Sequence, residues 1–253
     1  MRIGLLIIGS LFWDPSPARC RWRRARFGCG GVSRVRVPIR YGKKARTRNN
    51  TYTMVFAASC AGDERLGTGS VVPARAECCG FDHLLEEAET LWAAERDVEA
   101  VGGICGEWGK VMIKAGPGVN QDNPVVSRWQ AHVRACGASY APLPTAVDEA
   151  QVLDSATGMA LFEWPTDVNT QAPLADFDLL LMTATKPTLN GQRGYPSPEH
   201  IARAWLDDTA GHVVYFHNNQ RYGITTFEDA RIGELLRNGP PNQAMEPTAP
   251  SGS

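Results

Sequence analysis

Apolar residues in this chain come in short runs, and that limits the folds open to it. Stretches rich in β-branched or aromatic residues fall at 3–8, 33–39, 51–57, 69–73, 108–113, 177–183, 212–216 and 222–226. Each has the length and composition of a strand, and none approaches the ~20 apolar residues needed to span a bilayer. Helical patterns are fewer, at 81–98, 198–206 and 227–236. The second has a strong start, with Ser197 at the N-cap and Pro198 in the first turn. The run Val213-Val214-Tyr215-Phe216, then "HNNQR", then Tyr222 onward reads as a hairpin with a five-residue turn. Many short strands with few helices predict an α+β protein built on a small curved or barrel-like mixed β-sheet.

The first run raises a question of its own. In "GLLIIGSLFWDP", residues 4–15, an apolar stretch breaks at Gly9-Ser10 and resumes at Leu11. A signal peptide would need an unbroken apolar region and a small-residue cleavage site. The glycine-led break and Asp14-Pro15 fit a strand that ends in a loop.

Composition narrows the function classes. The 253 residues are 43% apolar with a net charge of −1, enough for a substantial core and without a global attraction to nucleic acid or membrane. The seven cysteines are odd in number, two are adjacent, and no C-x-x-C occurs. With five histidines at no paired spacing, no metal site is expected. This cysteine usage fits reduced thiols and a cytoplasmic location. A single globular domain is expected over 1–236, with an irregular connection at 137–150. The Pro-rich stretch 237–253 reads as a disordered tail.

Charge is unevenly spread. Twelve of the 26 Lys and Arg residues lie between Arg19 and Arg48, and no acid occurs between Asp14 and Asp63. Glu77 to Glu99 inverts this, with eight acids and one Arg. A basic surface segment facing an acidic helix explains most of these arginines, and Arg19–Arg26 is expected as a surface loop. A basic mouth for an anionic ligand is the sharper alternative.

The acidic helix carries one misplaced group. At 100° per residue, Leu84, Ala88, Leu91 and Val98 share a face. Glu86, Glu87, Glu89 and Asp97 lie outside it, but Glu95 falls in its middle. A carboxylate in an apolar stripe is unfavourable by several kcal/mol unless protonated, paired or functional. Burial would raise its pKa, as a general base at neutral pH requires. A frayed helix end that lets Glu95 reach water or a basic-segment Arg is the alternative.

Several segments in one order now carry a resemblance. They are "GSLFWDP" (9–15), "VPIRYGKKARTRNNTYTMVF" (37–56), "GTGSVVPAR" (67–75) and "LLEEAETLWAAERD" (84–97). Together they resemble the gamma-glutamylcyclotransferase-like superfamily, in particular its ChaC-type and AIG2-like members. These have a G-S-L loop after the first strand and a helix of the form L-W-x-x-E, here Leu91 to Glu95. The resemblance covers roughly residues 1–115, and 116–236 would be an extension.

It implies a compact α+β fold around a small barrel, and a transferase- or lyase-type enzyme releasing 5-oxoproline from a gamma-glutamyl amine or peptide. Gly9, Ser10 and Leu11 would grip the glutamyl group and Glu95 would be the catalytic carboxylate. The substrate brings its own nucleophile, so positioning and one base suffice and no cofactor is expected. Arg40, at the end of Val37-Pro38-Ile39, is a candidate to orient a carboxylate, the substrate's or that of Glu95. One departure is Ile8, where the family has an aromatic residue.

Two other classes compete. A non-catalytic small-ligand binder of the same fold would leave the Glu95 site filled or open to solvent. A nucleic-acid binder would use the 19–48 segment, where "RCRWRRARF" interleaves Arg and aromatics, but the rest of the chain has no recognised binding module. "TLNGQRGYP" (188–196) reads as a turn-rich loop that would contact a ligand through Tyr195 if it served as a lid. Trp108, Trp129, Trp164 and Trp205 read as core or core-edge aromatics.

Overall fold

The computed structural model describes residues 1–100, 102–120, 122–143, 152–188 and 194–239. Its strands are β1 (Ile3–Ile7), β2 (Ser33–Val37), β3 (Ile39–Ala45), β4 (Thr51–Phe56), β5 (Gly67–Pro73) and β6 (Cys105–Gly106). The remainder are β7 (Gly109–Ala115), β8 (Leu153–Asp154), β9 (Met159–Ala160), β10 (Thr166–Asp167) and β11 (Leu179–Thr185). The helices are α1 (Pro17–Arg26), α2 (Phe81–Glu95), α3 (Pro124–Cys136), α4 (Pro198–Leu206), α5 (Val214–Arg221) and α6 (Asp229–Asn238).

One mixed sheet runs in the order β10-β2-β5-β1-β11-β7-β9-β8, with β6 on β7. It curls into a half-barrel, so the class is α+β as expected. All five residues of β1 are buried. Leu5 stands opposite Val72 of antiparallel β5 and Leu181 of parallel β11. An apolar run buried on both faces belongs in such a central position, so the "GLLII" run is an interior strand. Strands β3 and β4 form a separate two-stranded ribbon. Buried side chains from Ile3 to Ile232 form one hydrophobic cluster.

Helix α2 buries Leu84, Ala88, Leu91 and Trp92 and packs on β7, β11, α1 and α3. It stops at Glu95, three residues before the sequence reading ended it. Asp97 adopts the left-handed conformation (φ 56°), and the Val98 and Asp97 amides donate back to the Ala93 and Ala94 carbonyls. Such a terminus satisfies carbonyls that would otherwise be orphaned.

Three expectations need correction. Residues 214–221 form α5 rather than part of a hairpin. Tyr215, Phe216 and Asn219 are buried together at helical spacing, and tertiary burial outweighs the β-propensity of Val213-Val214. The second half keeps one trace of a strand, a bridge between Thr68 and Thr225. Residues 17–26 form α1 rather than a surface loop, with Ala18 and Trp22 buried one turn apart. Helix α6 runs to Asn238, past the expected domain end at 236. The rest of the expected tail, from 240, lies outside the described residues, as do residues 144–150 of the expected connection.

Candidate active site

A cavity of about 1020 Å³ opens where the β1–α1 loop, the end of α2, the end of β3 and the end of β11 converge. Gly9, Ser10, Leu11 and Glu95 all line it. Their meeting follows from packing. Burying the apolar stripe of α2 against β7 and β11 turns the Glu95 face toward the sheet, and β1 delivers Gly9 to the same end. Gly9 is a spatial requirement, because a Cβ there would lie 2.6 Å from the Tyr215 hydroxyl.

Arg19 ties loop to helix. Its Nε donates to the Ala94 carbonyl (3.2 Å) and its Nη2 to the Glu95 carbonyl (3.2 Å). Its Nη1 donates to Asp14 Oδ2 (2.7 Å) and Ser10 Oγ (3.3 Å). A cation on the last carbonyls of a helix also complements the helix dipole. Asp14 further accepts from Arg48 Nη2 (3.2 Å). The Arg48 guanidinium lies 5.0 Å from the Tyr215 ring centre, and Lys43 Nζ lies 3.7 Å from that of Trp108. Arg23 donates to the Leu11 and Asp14 carbonyls (2.8 and 2.7 Å), fixing the loop from its other side.

Lys43 reaches the cavity through a β-bulge. Tyr41 stands opposite Met54 and Lys43 opposite Thr53, so Gly42 is the extra residue, and bulges re-aim the side chains that follow them. A Cβ at Gly42 would lie 2.6 Å from Val55 Cγ2 and 2.8 Å from the Tyr195 ring.

Among the described residues the Glu95 carboxylate takes part in no hydrogen bond or ion pair. Glu95 is partly exposed and lines the cavity, and the surrounding protein desolvates its carboxylate. Burial therefore raises its pKa, against the opposing fields of Arg19, Lys43 and Arg48. Burial pushes Lys43 down to about 8, with Glu95 opposing and Arg48 adding to the fall. Seven cationic side chains line the cavity against four acidic ones, so its field favours an anionic guest. The arrangement can bind an anion, position it beside Gly9–Leu11, and accept a proton at Glu95.

Arg40 is not part of this site. Its Nη2 donates to Glu228 Oε1 (2.9 Å), and its guanidinium lies under the rings of Tyr195 and Phe227 (4.6 and 5.6 Å). It orients a carboxylate, but that of Glu228 rather than Glu95 or a ligand in the cavity. Tyr195 packs on Arg40 and is not among the cavity-lining residues, and 189–193 of the expected lid lie outside the described residues. Arg19, Lys43 and Arg48 take the place foreseen for Arg40. They belong to the charge run that the basic-mouth alternative had marked, and Gly42 inside a strand pattern is the sequence sign of the bulge. Trp108, read as a core-edge residue, lines the cavity, and Tyr215 was hidden in the hairpin reading.

Among the described residues no group of three or more His, Cys, Asp or Glu side chains could hold a metal ion, and no helix is long and apolar enough to cross a membrane. No family model, curated protein or solved structure matches the chain.

Proposed function

We propose that the protein releases 5-oxoproline from a gamma-glutamyl amine or peptide, with Glu95 as general base. One observation carries the reading: a desolvated carboxylate, free of ion pairs, shares a cavity with the Gly9–Leu11 backbone. Glu95 takes a proton from the substrate α-ammonium group. The free amine attacks the γ-carbonyl carbon, a C–N bond closes the five-membered ring, and the bond to the leaving nitrogen breaks. The protons shed by the attacking nitrogen end on the departing amine. Gly9, Ser10 and Leu11 bring backbone N–H groups close to the glutamyl group without a side chain at position 9 to obstruct them. Arg19 and Arg48, anchored by Asp14, attract its α-carboxylate.

Tyr215 supports the reading as well. Its ring lines the cavity beside Gly9 and supplies from α5 an aromatic surface that Ile8 does not provide. The second reading, a non-catalytic binder of an anionic small molecule, draws on the same cationic lining. Nucleic-acid binding draws on less, since Arg21 and Arg26 are taken up by Glu99, Glu86 and Glu87.

The test is product analysis across gamma-glutamyl amines, amino acids and peptides. Release of 5-oxoproline from at least one is expected. Saturable binding without release from any would favour the binder.

A further inference from the structure

A base explains how the ring closes but not how the other nitrogen leaves. An alkylamine cannot depart from a tetrahedral carbon as an amide anion, so something must give it a proton as its bond breaks. Glu95 is occupied with the attacking nitrogen, so this step calls for a second proton-bearing group in the cavity.

Lys43 is the group that fits. It lines the same cavity as Glu95 from the opposite element, the end of β3 rather than the end of α2. Among the described residues no ion pair joins the two, so substrate atoms can lie between them. The Gly42 bulge turns the side chain inward, and the Trp108 face holds the ammonium at 3.7 Å without a competing acceptor. The cationic neighbours are less suited. Arg19 and Arg48 are guanidinium groups that do not release protons in proteins, and both are engaged by Asp14.

We propose that Lys43 is the general acid of the reaction, donating the proton that allows the leaving amine to depart. The inference rests on the reading of Glu95 as the base for 5-oxoproline formation. Lys43 Nζ gives a proton to the leaving nitrogen as the bond to the carbonyl carbon breaks, and the amine departs as neutral R–NH2. The attacking nitrogen, now in the ring and still carrying its second proton, returns one to the Lys43 amine and restores the ammonium. The proton held by Glu95 goes to the released amine or to water.

The electrostatic setting agrees. The charges facing Lys43 are Glu95 from α2 and Arg48 from the turn after β3. Glu107 and Lys186 line the cavity from the β6–β7 turn and the end of β11, and His212 from the start of α5. With burial the largest influence, Lys43 titrates at about 8. It is therefore loaded with its proton at neutral pH yet is a stronger acid than an ordinary lysine, whose pKa is about 10.4.

The experiment compares wild type and Lys43→Arg on two substrates, a gamma-glutamyl alkylamide and gamma-glutamyl-4-nitroanilide. Arginine keeps the charge over Trp108 but cannot serve as the acid, and 4-nitroaniline leaves with far less need of a proton. The expected loss in kcat is roughly 10²-fold or more on the alkylamide, and at least about ten times smaller on the nitroanilide. The wild-type kcat/KM profile on the alkylamide should fall through about pH 8, and Lys43→Arg should lose that limb. Equal losses on the two substrates, or none on either, would overturn the role of Lys43 while leaving Glu95 in place. If wild type releases 5-oxoproline from neither substrate, the functional reading falls and this inference with it.

Discussion

Helix α2 carries one desolvated carboxylate in its middle and another in its last turn, and treats them differently. In the middle of the helix, Glu87 is held by Arg26 (3.1 Å) and approached by His83 (3.7 Å), while the adjacent Glu86 takes the other side of the same guanidinium (2.7 Å). At the last turn, the Glu95 carboxylate has three cations around it and bonds none of them. Arg19 spends its donors on the Ala94 and Glu95 main-chain carbonyls, Asp14 and Ser10. Arg48 is held by Asp14 and Tyr215, and Lys43 by the Trp108 ring. Burial raises the pKa of both, but only at Glu87 does a bonded partner oppose it. Cations anchored by other groups can attract a guest without neutralising the carboxylate that is to act on it. Ion pairing at Glu87 is architecture, and its absence at Glu95 is what makes that end available for chemistry.

Four substitutions test how deep this contrast runs. The largest effect is expected from Glu95→Gln, which keeps shape but cannot accept a proton. Turnover should fall roughly 10²–10⁴-fold, with substrate affinity changed much less and the melting temperature close to wild type. Arg40→Ala should act on stability alone. It leaves Glu228, 6% exposed, without its partner, and breaking such a buried pair costs about 3–5 kcal/mol, measurable by denaturant unfolding. Arg19→Ala should show both kinds of effect. The Ala94 carbonyl keeps the Asp97 amide, but the Glu95 carbonyl loses its Arg19 donor, which costs about 1–3 kcal/mol. Loss of its field should move the Glu95 midpoint, and so the acidic limb of kcat/KM, to higher pH. Arg21→Ala should do least: its pair with Glu99 is exposed (56% and 79%) and is worth at most ~1 kcal/mol. A stability loss from Arg21→Ala as large as that from Arg19→Ala would erase the distinction between outer and inner arginines.

The sequence marked Glu95 because helical periodicity placed it on the face of Leu84, Ala88 and Leu91, which α2 buries; Glu87, placed outside that face, is buried as well, and Val98, placed on it, is exposed beyond the helix end. The glycine-led break after the first apolar run marked a loop at Gly9, and the resemblance of "GSLFWDP" to a G-S-L ligand loop singled out Gly9–Leu11. Arg40 was misplaced because groups distant in sequence, Glu228 and the Tyr195 and Phe227 rings, engage its guanidinium; Lys43 was passed over because the bulge at Gly42 changes the facing of the later residues on β3. Helix α1 was missed although Ser16-Pro17 carries the same start as Ser197-Pro198, which was recognised. The density of arginines after it masked the Ala18–Trp22 spacing. Asn123-Pro124 opens α3 in the same manner, with Asn123 Oδ1 accepting from the Val125 amide (2.9 Å). Tyr215 was illegible because its helix forms through burial against distant partners, among them Trp13 on Tyr215 and Tyr41 on Phe216.

The central claim is that Glu95 is desolvated without being paired, and its carboxyl titration reads this without a substrate. Carbon-13 NMR of glutamate-labelled protein, with the resonance assigned by its loss in Glu95→Gln, gives the midpoint directly. A midpoint above the ordinary glutamate value of about 4.3 is expected, in line with the burial that raises it. A midpoint at or below that value would mean that a cation pairs with Glu95 after all, and would contradict the account.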